Sequence, residues 1–350
     1  MMFLGVLLMI TACNSGGGES SDNSTEGEEG GKGQLVVVSW GGAGTDAQRT
    51  AWYEPFTEET GIKIIEVTPP STSQLKAQVD SGNVEWDVVL MDKTQIDALN
   101  NDGDYLDNIP YDDMDQNLIR GMPEEAKRKE GLGAYYWGWT LTYRTDEYDE
   151  APQGWEDFWD TERFPGPRTM PDQPRATFEA AMMAMGTDGD NLYPIDVDSA
   201  WGKMDEILPH ISAFWKAGAE GVQMLADNEA SMGQVYTTQA ASLIRDGVPV
   251  EIQWNEGIYA MDYWVVPKGQ ISDEVIQFME FISDPERQAA LSNELPYGPV
   301  HEEAINYVDE DIKGNLITNH IDKMVPYDHA DWWGEHRDEL TQRWEEWKLK

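Results

Sequence analysis

Alternating strands and helices are predicted from the hydrophobic pattern of residues 35–101. Apolar runs predict strands at 35–40, 62–67 and 87–91, and amphipathic spacing predicts helices at 45–60, 71–81 and 94–101. This βαβαβα order indicates a parallel sheet with helices on both faces, whose ligands bind at the carboxyl ends of strands. Trp40, Gly41 and Gly42 follow the first of these strands, and Lys93 and Thr94 follow the third.

A second α/β unit is predicted after residue 150. Helices are expected at 157–161, 175–185, 199–208, 219–226, 239–246, 272–283, 285–293 and 331–348. Two short strands are expected at 250–253 and 262–266, with a turn at Gly257 between them. The last helix has four apolar residues near one face, which favours packing against the core over a ligand site.

Aromatic side chains and one carboxylate are concentrated around this strand pair. Tyr236 precedes it, Trp254, Asn255 and Tyr259 lie within it, and Asp262 begins its second strand. Aromatic π-faces beside a carboxylate suit the binding of a small organic cation. The alternative is an ordinary strand pair with an aromatic core, since burial alone explains an indole such as that of Trp254.

The same segment, with others in order along the chain, resembles the spermidine/putrescine-type solute-binding proteins of ABC transporters. The similar motifs are VVSWGG (37–42), FTEETGIKI (56–64), EWDVVL (85–90), YWG (136–138), FPGPR (164–168), NLYP (191–194), LPYGP (295–299) and the Trp-rich end (332–347). The resemblance implies an α/β, two-lobed periplasmic-binding-protein fold (type II) with hinge crossings near Trp139 and Ile258. Residues 34–139 plus 259–300 would form lobe 1, and residues 140–258 plus 301–350 lobe 2.

The resemblance also implies a ligand site, which this sequence matches only in part. Trp40, Tyr236 and Tyr297 would supply rings, and Asp262 would take an amine. Asp172 is the carboxylate that remains where polyamine binders have several, and Lys93 adds a positive charge. A second buried ammonium without a counter-charge is costly. The solute is therefore a polyamine such as putrescine or spermidine, with Asp172 and Asp262 at opposite ends, or a 4-aminobutyrate-like amino acid.

The resemblance implies no enzyme activity and no cofactor, and it gives an ABC permease with its ATPase as partners of a monomer. A receptor that presents solute to a sensor is an alternative. The hydrolase and phosphate-loop motifs are missing from the sequence. A secreted glycoside hydrolase is the alternative from another class. His329, His336 and Asp331 could form a metal cluster, but a solvated helix face explains them more simply.

The N-terminal segment has the pattern of a lipoprotein signal. Residues 1–13 combine a short apolar run with small residues before Cys13, the single cysteine. Residues 14–33 are Gly-, Ser- and Glu-rich and predict a flexible tether. We expect an exported protein whose only membrane contact is a lipid on Cys13, at the outer face of the cytoplasmic membrane or in the periplasm. A disordered start with a chance cysteine is the alternative.

The charge balance excludes some partners. With 24 Lys and Arg against 66 Asp and Glu, the formal net charge is −42. Such a surface repels nucleic acid and anionic lipid headgroups. Because the acidic residues are spread along the chain, we hypothesise a halophilic source in which salt screens the self-repulsion. The alternative is a moderately acidic secreted protein.

Overall fold

A mixed sheet organises the protein. The computed structural model describes residues 33–327 and 329–350, and ten strands in this part of the chain form one sheet. The order is β2-β1-β3-β9-β5-β8-β6-β7, with β4 beside β5 and β10 beside β9. The strands are β1 (Gln34–Val38), β2 (Lys63–Val67), β3 (Val88–Asp92), β4 (Lys127–Arg128), β5 (Gly131–Arg144), β6 (Arg168–Pro171), β7 (Ile211–Trp215), β8 (Met232–Tyr236), β9 (Val250–Val265) and β10 (Val325–Pro326).

Helices cover the sheet, and most of them begin within two residues of their predicted starts. They are α1 (Gly42–Gln48), α2 (Glu54–Thr60), α3 (Thr72–Ser81), α4 (Lys93–Asp102), α5 (Gln116–Arg120), α6 (Trp155–Trp159), α7 (Thr177–Met183), α8 (Val197–Ile207), α9 (Gly218–Ala226), α10 (Thr237–Arg245), α11 (Asp273–Ser283), α12 (Pro285–Glu294), α13 (Glu310–Lys313) and α14 (Ala330–Trp347). Capping residues bound two of these helices: Ser71 Oγ accepts a hydrogen bond from Gln74 N at the start of α3, and Gly61 ends α2 with φ 75°.

Two long antiparallel strands, β5 and β9, join the halves of the sheet. We call β1–β3 with the adjoining ends of β5 and β9 the first half, and β6–β8 with the opposite ends the second half. Asp92 of β3 pairs with Asp262 at one end of β9, and Met232 of β8 pairs with Tyr143 at the other end of β5. Trp139 and Ile258, the two predicted crossing points, are direct partners in the ladder. The predicted two-lobed α/β fold with two hinge crossings is confirmed.

The predicted turn at Gly257 is wrong in one respect. β9 is one strand of 16 residues rather than two short ones. It bulges where residues 254–257 oppose Thr140 alone, since Gln253 pairs with Leu141 and Ile258 with Trp139. A Cβ on Gly257 would lie 2.9 Å from Cγ2 of Thr140. The glycine therefore allows a close approach between strands instead of ending one.

The core consists mainly of two large clusters of buried side chains. One contains Trp52, Phe56 and Trp264 under the first half, and the other contains Phe178 and Trp344 in the second half. The packing prediction for the last helix is confirmed, because its apolar face is buried: Trp333, Leu340, Trp344 and Trp347. Among the described residues, no helix has the length and apolar character that crossing a bilayer requires. Cys13 and the tether up to residue 32 lie outside the described residues.

Candidate functional site

Asp262 lies between two indoles in the first half of the sheet. Its Oδ2 accepts a hydrogen bond from Trp40 Nε1 and its Oδ1 one from Trp137 Nε1, both at 2.8 Å. The two donors come from distant segments, the loop after β1 and the middle of β5. The carboxylate is 3% exposed. Neutral indole donors orient a buried carboxylate without neutralising it, so its negative charge remains available to a cation.

Burial and the neighbouring charge of Asp92 raise the pKa of Asp262 to about 7. The hydrogen bonds from Trp137 and Trp40 and the charge of Arg175 lower that pKa, but they do not outweigh the burial. A cation that entered this site would stabilise the ionised carboxylate and bring its pKa back down. The site is therefore built to gain free energy when a positive group binds.

Arg175 is a partly buried cation, with a side chain that is 20% exposed, and it faces the same region. It lies between β6 and α7, and its guanidinium carbon is 4.3 Å from the centre of the Tyr327 ring and 5.6 Å from that of Trp139. Its Nη2 lies 3.2 Å from Oδ2 of Asp92. Asp92 is also the strand partner of Asp262 in the ladder between β3 and β9, so it links the two charged groups geometrically.

Several donors around Arg175 lack acceptors. Within the described residues, Arg175 Nε and Tyr327 Oη are buried and have no hydrogen-bond partner, and Trp139 Nε1 makes no hydrogen bond of good geometry. Buried donors are usually paired in native proteins, so three unpaired donors around one guanidinium are consistent with a ligand that supplies the acceptor. Because a carboxylate offers two oxygens and a negative charge, it is the group that this set of donors fits.

Asp92 is held in place independently of Arg175. It is the N-cap of α4, where it accepts hydrogen bonds from Gln95 N at 2.9 Å and from the Thr94 hydroxyl. Burial alone would raise the pKa of Asp92, but the charge of Arg175 and these hydrogen bonds outweigh it and lower the pKa. Asp92 is therefore a fixed anion that orients the guanidinium from one side.

Aromatic rings surround the two charged groups. Tyr297 stacks on Tyr135 with ring centres 3.9 Å apart, and burial together with the charge of Asp262 raises the pKa of Tyr297. Tyr236 packs against Trp137 and Trp139, at 5.8 and 5.5 Å between ring centres. Burial raises the pKa of all three tyrosines, which keeps their hydroxyls neutral at physiological pH. These rings provide an apolar enclosure for a short methylene chain.

The fold that carries this site has counterparts among known proteins. The profile of the family described as bacterial extracellular solute-binding proteins matches residues 51–316. The chain is a member of that family.

Individual relatives refine the comparison. The chain is 31% identical to the gamma-aminobutyric acid-binding protein of Pseudomonas aeruginosa, over 90% of this chain and 91% of that protein. It is 22% identical to the spermidine/putrescine-binding periplasmic protein of Escherichia coli, over 70% and 72%. Among solved structures, the Atu4243–GABA receptor superposes with a TM-score of 0.81 at 32% identity, over 90% and 97% of the two chains. The predicted resemblance to solute-binding proteins is confirmed.

The solute-binding protein brings together several of the predicted site residues. Trp40, Tyr236, Asp262 and Tyr297 belong to the cluster described above, and Thr94 reaches it through Asp92. Gly41 and Gly42 have φ values of 88° and 59°, which let the chain turn sharply after Trp40.

Two more predicted residues lie beside this cluster. Tyr259 and Lys93 line an adjacent cavity of about 240 Å³ that Asp92 also borders. Lys93 Nζ pairs with Asp97 at 2.8 Å, so the structure gives it a carboxylate partner on its own helix.

Three predicted residues have their contacts elsewhere. Asp172 accepts hydrogen bonds from Trp344 and Lys348 of α14. Trp254 is buried and stacks on His320 with ring centres 4.2 Å apart, in agreement with the core alternative. Asn255 donates to Gln153 O at 3.1 Å. The bulge in β9 redirects the side chains of Trp254 and Asn255, and α14 provides the partners of Asp172. A local pattern does not show which residues meet in these contacts.

Two charged groups of the site, Arg175 and Asp92, are not among the residues predicted to bind the solute. Arg175 lies at the start of a predicted helix, and Asp92 lies in the segment at the carboxyl end of the third predicted strand. Both lie where ligands of parallel sheets bind, since Asp92 ends β3 and Arg175 follows β6. Arg168 of β6 is buried and donates hydrogen bonds to the carbonyls of Phe158 and Gly166.

The metal cluster considered from the sequence comprises His329, His336 and Asp331. Within residues 33–327 and 329–350, no group of three His, Cys, Asp or Glu side chains has an arrangement that could hold a metal ion. His329 stacks on Tyr193, and His336 stacks on Trp332.

Proposed function

We propose that this protein binds an ω-amino acid of the 4-aminobutyrate class and delivers it to the permease of an ABC importer. The amine would lie on Asp262 among Trp40, Trp137 and Tyr297. The carboxylate would accept hydrogen bonds from Arg175 and Tyr327. The methylene chain would lie against the rings between these ends.

The observation that carries this proposal is the unpaired Nε of Arg175, whose guanidinium pairs with Asp92, the strand partner of Asp262. A solute with an amine at one end and a carboxylate at the other matches both groups. A diamine would match Asp262 but would bring its second ammonium toward a buried guanidinium, and like charges in a buried site repel strongly.

The relatives support the same choice. The names of the two relatives at 31 and 32% identity refer to 4-aminobutyrate, whereas the polyamine-binding relative of Escherichia coli is 22% identical. A positive charge in the site favours an amino acid over a polyamine, as the sequence predicts. We assign that role to Arg175 instead of Lys93, because Lys93 pairs with Asp97.

We further propose that the protein is not an enzyme, acts as a monomer outside the cytoplasm, and is held at the membrane through a lipid on Cys13. Mass spectrometry of protein expressed with its natural N-terminus tests the last point. A diacylglyceryl adduct that is lost on Cys13→Ser supports it, and an unmodified thiol after export would refute it.

Titration calorimetry in buffer with high salt tests the solute. We expect 4-aminobutyrate to bind more tightly than putrescine, spermidine or a betaine. Arg175→Gln should weaken 4-aminobutyrate by about tenfold to a hundredfold, the range for losing a charged hydrogen bond. Arg175→Lys should recover part of the loss, since it keeps the charge without the fork of donors.

A matched control separates recognition from folding. Arg49→Gln removes another arginine from a two-bond ion pair, with Glu66 in the first half, and should leave the affinity unchanged. Tighter binding of putrescine than of 4-aminobutyrate by the unaltered protein would refute the assignment to ω-amino acids.

A further inference from the structure

Three tryptophans of α14 each donate an indole N–H to a carboxylate of the second half. Trp333 donates to Glu179 at 2.8 Å, Trp344 to Asp172 at 2.8 Å and Trp347 to Asp205 at 2.7 Å. Their rings pack at the same time into the hydrophobic core around Phe178 and Trp201. The last helix is therefore fixed to the second half by apolar contact and by directed hydrogen bonds.

One of these carboxylates, Asp172, is close in sequence to Arg175 of the solute site. Asp172 directly follows β6 and precedes Arg175 by three positions. Its carboxylate is tied by Trp344 and by Lys348 Nζ, at 2.5 and 2.7 Å from its two oxygens, and Lys216 stands 3.7 Å away. Burial alone would raise the pKa of Asp172, but the hydrogen bonds from Lys348 and Trp344 outweigh it and lower the pKa. Asp172 thus stays ionised, and its side chain is 7% exposed.

The other side of Arg175 is fixed as well. Ala176 has a φ of 64°, a left-handed conformation that is unfavourable for a residue with a Cβ. Its carbonyl accepts a hydrogen bond from the buried Gln234 Nε2 at 2.9 Å. Such a conformation persists only where the surrounding contacts hold it. The segment from Asp172 to Ala176 therefore depends on its anchors. On the N-terminal side, the backbone of Asp172 donates to Trp215 O at 2.8 Å, and α14 holds its side chain.

We infer that Trp344 and Lys348 are positioning residues for the solute site, because they hold Asp172 and thereby aim the Arg175 guanidinium at the solute carboxylate. This inference rests on the proposed function in giving Arg175 a carboxylate to bind. Trp344 and Lys348 act through the backbone between Asp172 and Arg175. Asp172, which the sequence predicted to hold an amine, is in this view the anchor of the segment that holds the carboxylate.

The chain offers a control pair with nearly the same chemistry. On the same helix, Trp347 and Lys350 donate to Asp205, at 2.7 and 2.9 Å. Asp205 lies in α8, which does not carry Arg175. The control ion pair is more exposed, with side-chain exposures of 57% and 50% for Lys350 and Asp205. The decisive measurement is therefore a ratio of affinities within each variant and not its melting temperature.

The experiment compares Trp344→Phe/Lys348→Met with Trp347→Phe/Lys350→Met, each titrated with 4-aminobutyrate and with n-butylamine. Butylamine keeps the amine and the methylene chain but lacks the carboxylate. In the first variant we expect the affinity for 4-aminobutyrate to fall about tenfold while the affinity for butylamine is unchanged. The second variant should retain both affinities. Trp344→Phe alone, which keeps Lys348, should give a smaller loss with the same selectivity.

Two results would overturn the inference. One is an equal loss for both solutes in the Asp172 variant, which would show general weakening of the fold. The other is the same change in the two double variants. If Trp344→Phe/Lys348→Met does not fold, Trp344→Phe alone decides between these outcomes.

A readout without solute separates this inference from the proposed function. If the unaltered protein fails to bind 4-aminobutyrate, the proposed function is wrong, and X-ray scattering of the unliganded variants then judges the anchor. Loss of the Asp172 anchor should loosen the contact of Arg175 with Asp92 and increase the radius of gyration, and loss of the Asp205 contact should not. An unchanged radius in both variants would refute the anchoring role.

Discussion

Asp92 and Arg175 form an ion pair across the two halves of the sheet, with Oδ2 and Nη2 3.2 Å apart. Asp92 ends β3 in the first half, and Arg175 follows β6 in the second half. Each group is fixed on its own side, Asp92 by the capping box of α4 and Arg175 by the segment that α14 anchors. The pair therefore joins the two lobes directly, beside the site where the solute carboxylate would bind.

Removing the charge of Asp92 should favour an open arrangement of the unliganded protein. In Asp92→Asn the cap of α4 can persist, but the buried guanidinium loses its counter-charge, which we expect to cost roughly 1–3 kcal/mol. X-ray scattering should show a larger radius of gyration without solute and an unchanged radius with saturating solute. Glu66→Gln, which breaks an ion pair within the first half, is the control. No expansion of the unliganded Asp92→Asn protein would contradict a role for the pair in closure.

The affinity for an amine should depend on pH through Asp262. Because its pKa is raised to about 7, a cationic solute has to displace a proton below that pH. Calorimetry should find an affinity that is constant above pH 7 to 8 and falls toward tenfold per pH unit below pH 6. Asp262→Asn should bind at least about a hundredfold more weakly, with a flat profile. A pH-dependent profile that survives in Asp262→Asn would assign the titration to another group, such as the buried Glu179.

The stability of the unliganded protein should respond to pH in the opposite sense. The folded state binds a proton at Asp262 more tightly than the unfolded chain does between about pH 4 and pH 7. The contribution of this group to the free energy of unfolding therefore declines as pH rises through that window. Denaturant unfolding at several pH values should show a smaller decline for Asp262→Asn than for the unaltered protein. Equal slopes in both would place Asp262 near its ordinary pKa.

Two glycines offer a test of the fold at the crossing of β5 and β9. A Cβ on Gly138 would lie 2.4 Å from the carbonyl oxygen of Ile258, a backbone atom that cannot move aside. Gly138→Ala should lower the free energy of unfolding by about 1–3 kcal/mol or more. Gly202 in α8 has no atom within 4 Å of such a Cβ, so Gly202→Ala should raise it by about 0.5–1 kcal/mol. Similar effects of the two substitutions on unfolding in urea would contradict the close approach.

Salt should stabilise this protein. A net charge of −42 creates self-repulsion in dilute buffer, and the screening length shrinks from about 10 Å at 0.1 M to about 3 Å at 1 M salt. The melting temperature should rise by roughly 5 °C or more over that range. Sucrose, which strengthens burial without screening charge, is the control and should have a smaller effect. A flat or falling melting temperature in NaCl would count against the halophilic hypothesis.

Local patterns in the sequence determined the helices, the strands of the first half and the aromatic character of the site. They sufficed there because a period of 3.6 or 2 and a capping residue such as Ser71 act over a few neighbours. They also identified Asp262, whose isolation among rings is visible in the chain itself. They did not reveal the long strand β5, since both of its faces are buried by distant segments and no simple alternation results. In β9 the alternation holds for residues 250–255 and is lost beyond the bulge, so the two ends read as separate strands.

Only the tertiary structure decided how charge is distributed in the site. Whether an ionisable group meets a solute or a structural partner depends on which segments fold beside it, and those lie 83 positions apart for Asp92 and Arg175 and 176 for Asp172 and Lys348. In the folded chain Asp172 pairs with residues of the last helix, whereas Arg175 pairs with Asp92 and keeps one unpaired donor. The physical reason is that desolvation and pairing, which set the free energy of a charge, are properties of three-dimensional surroundings.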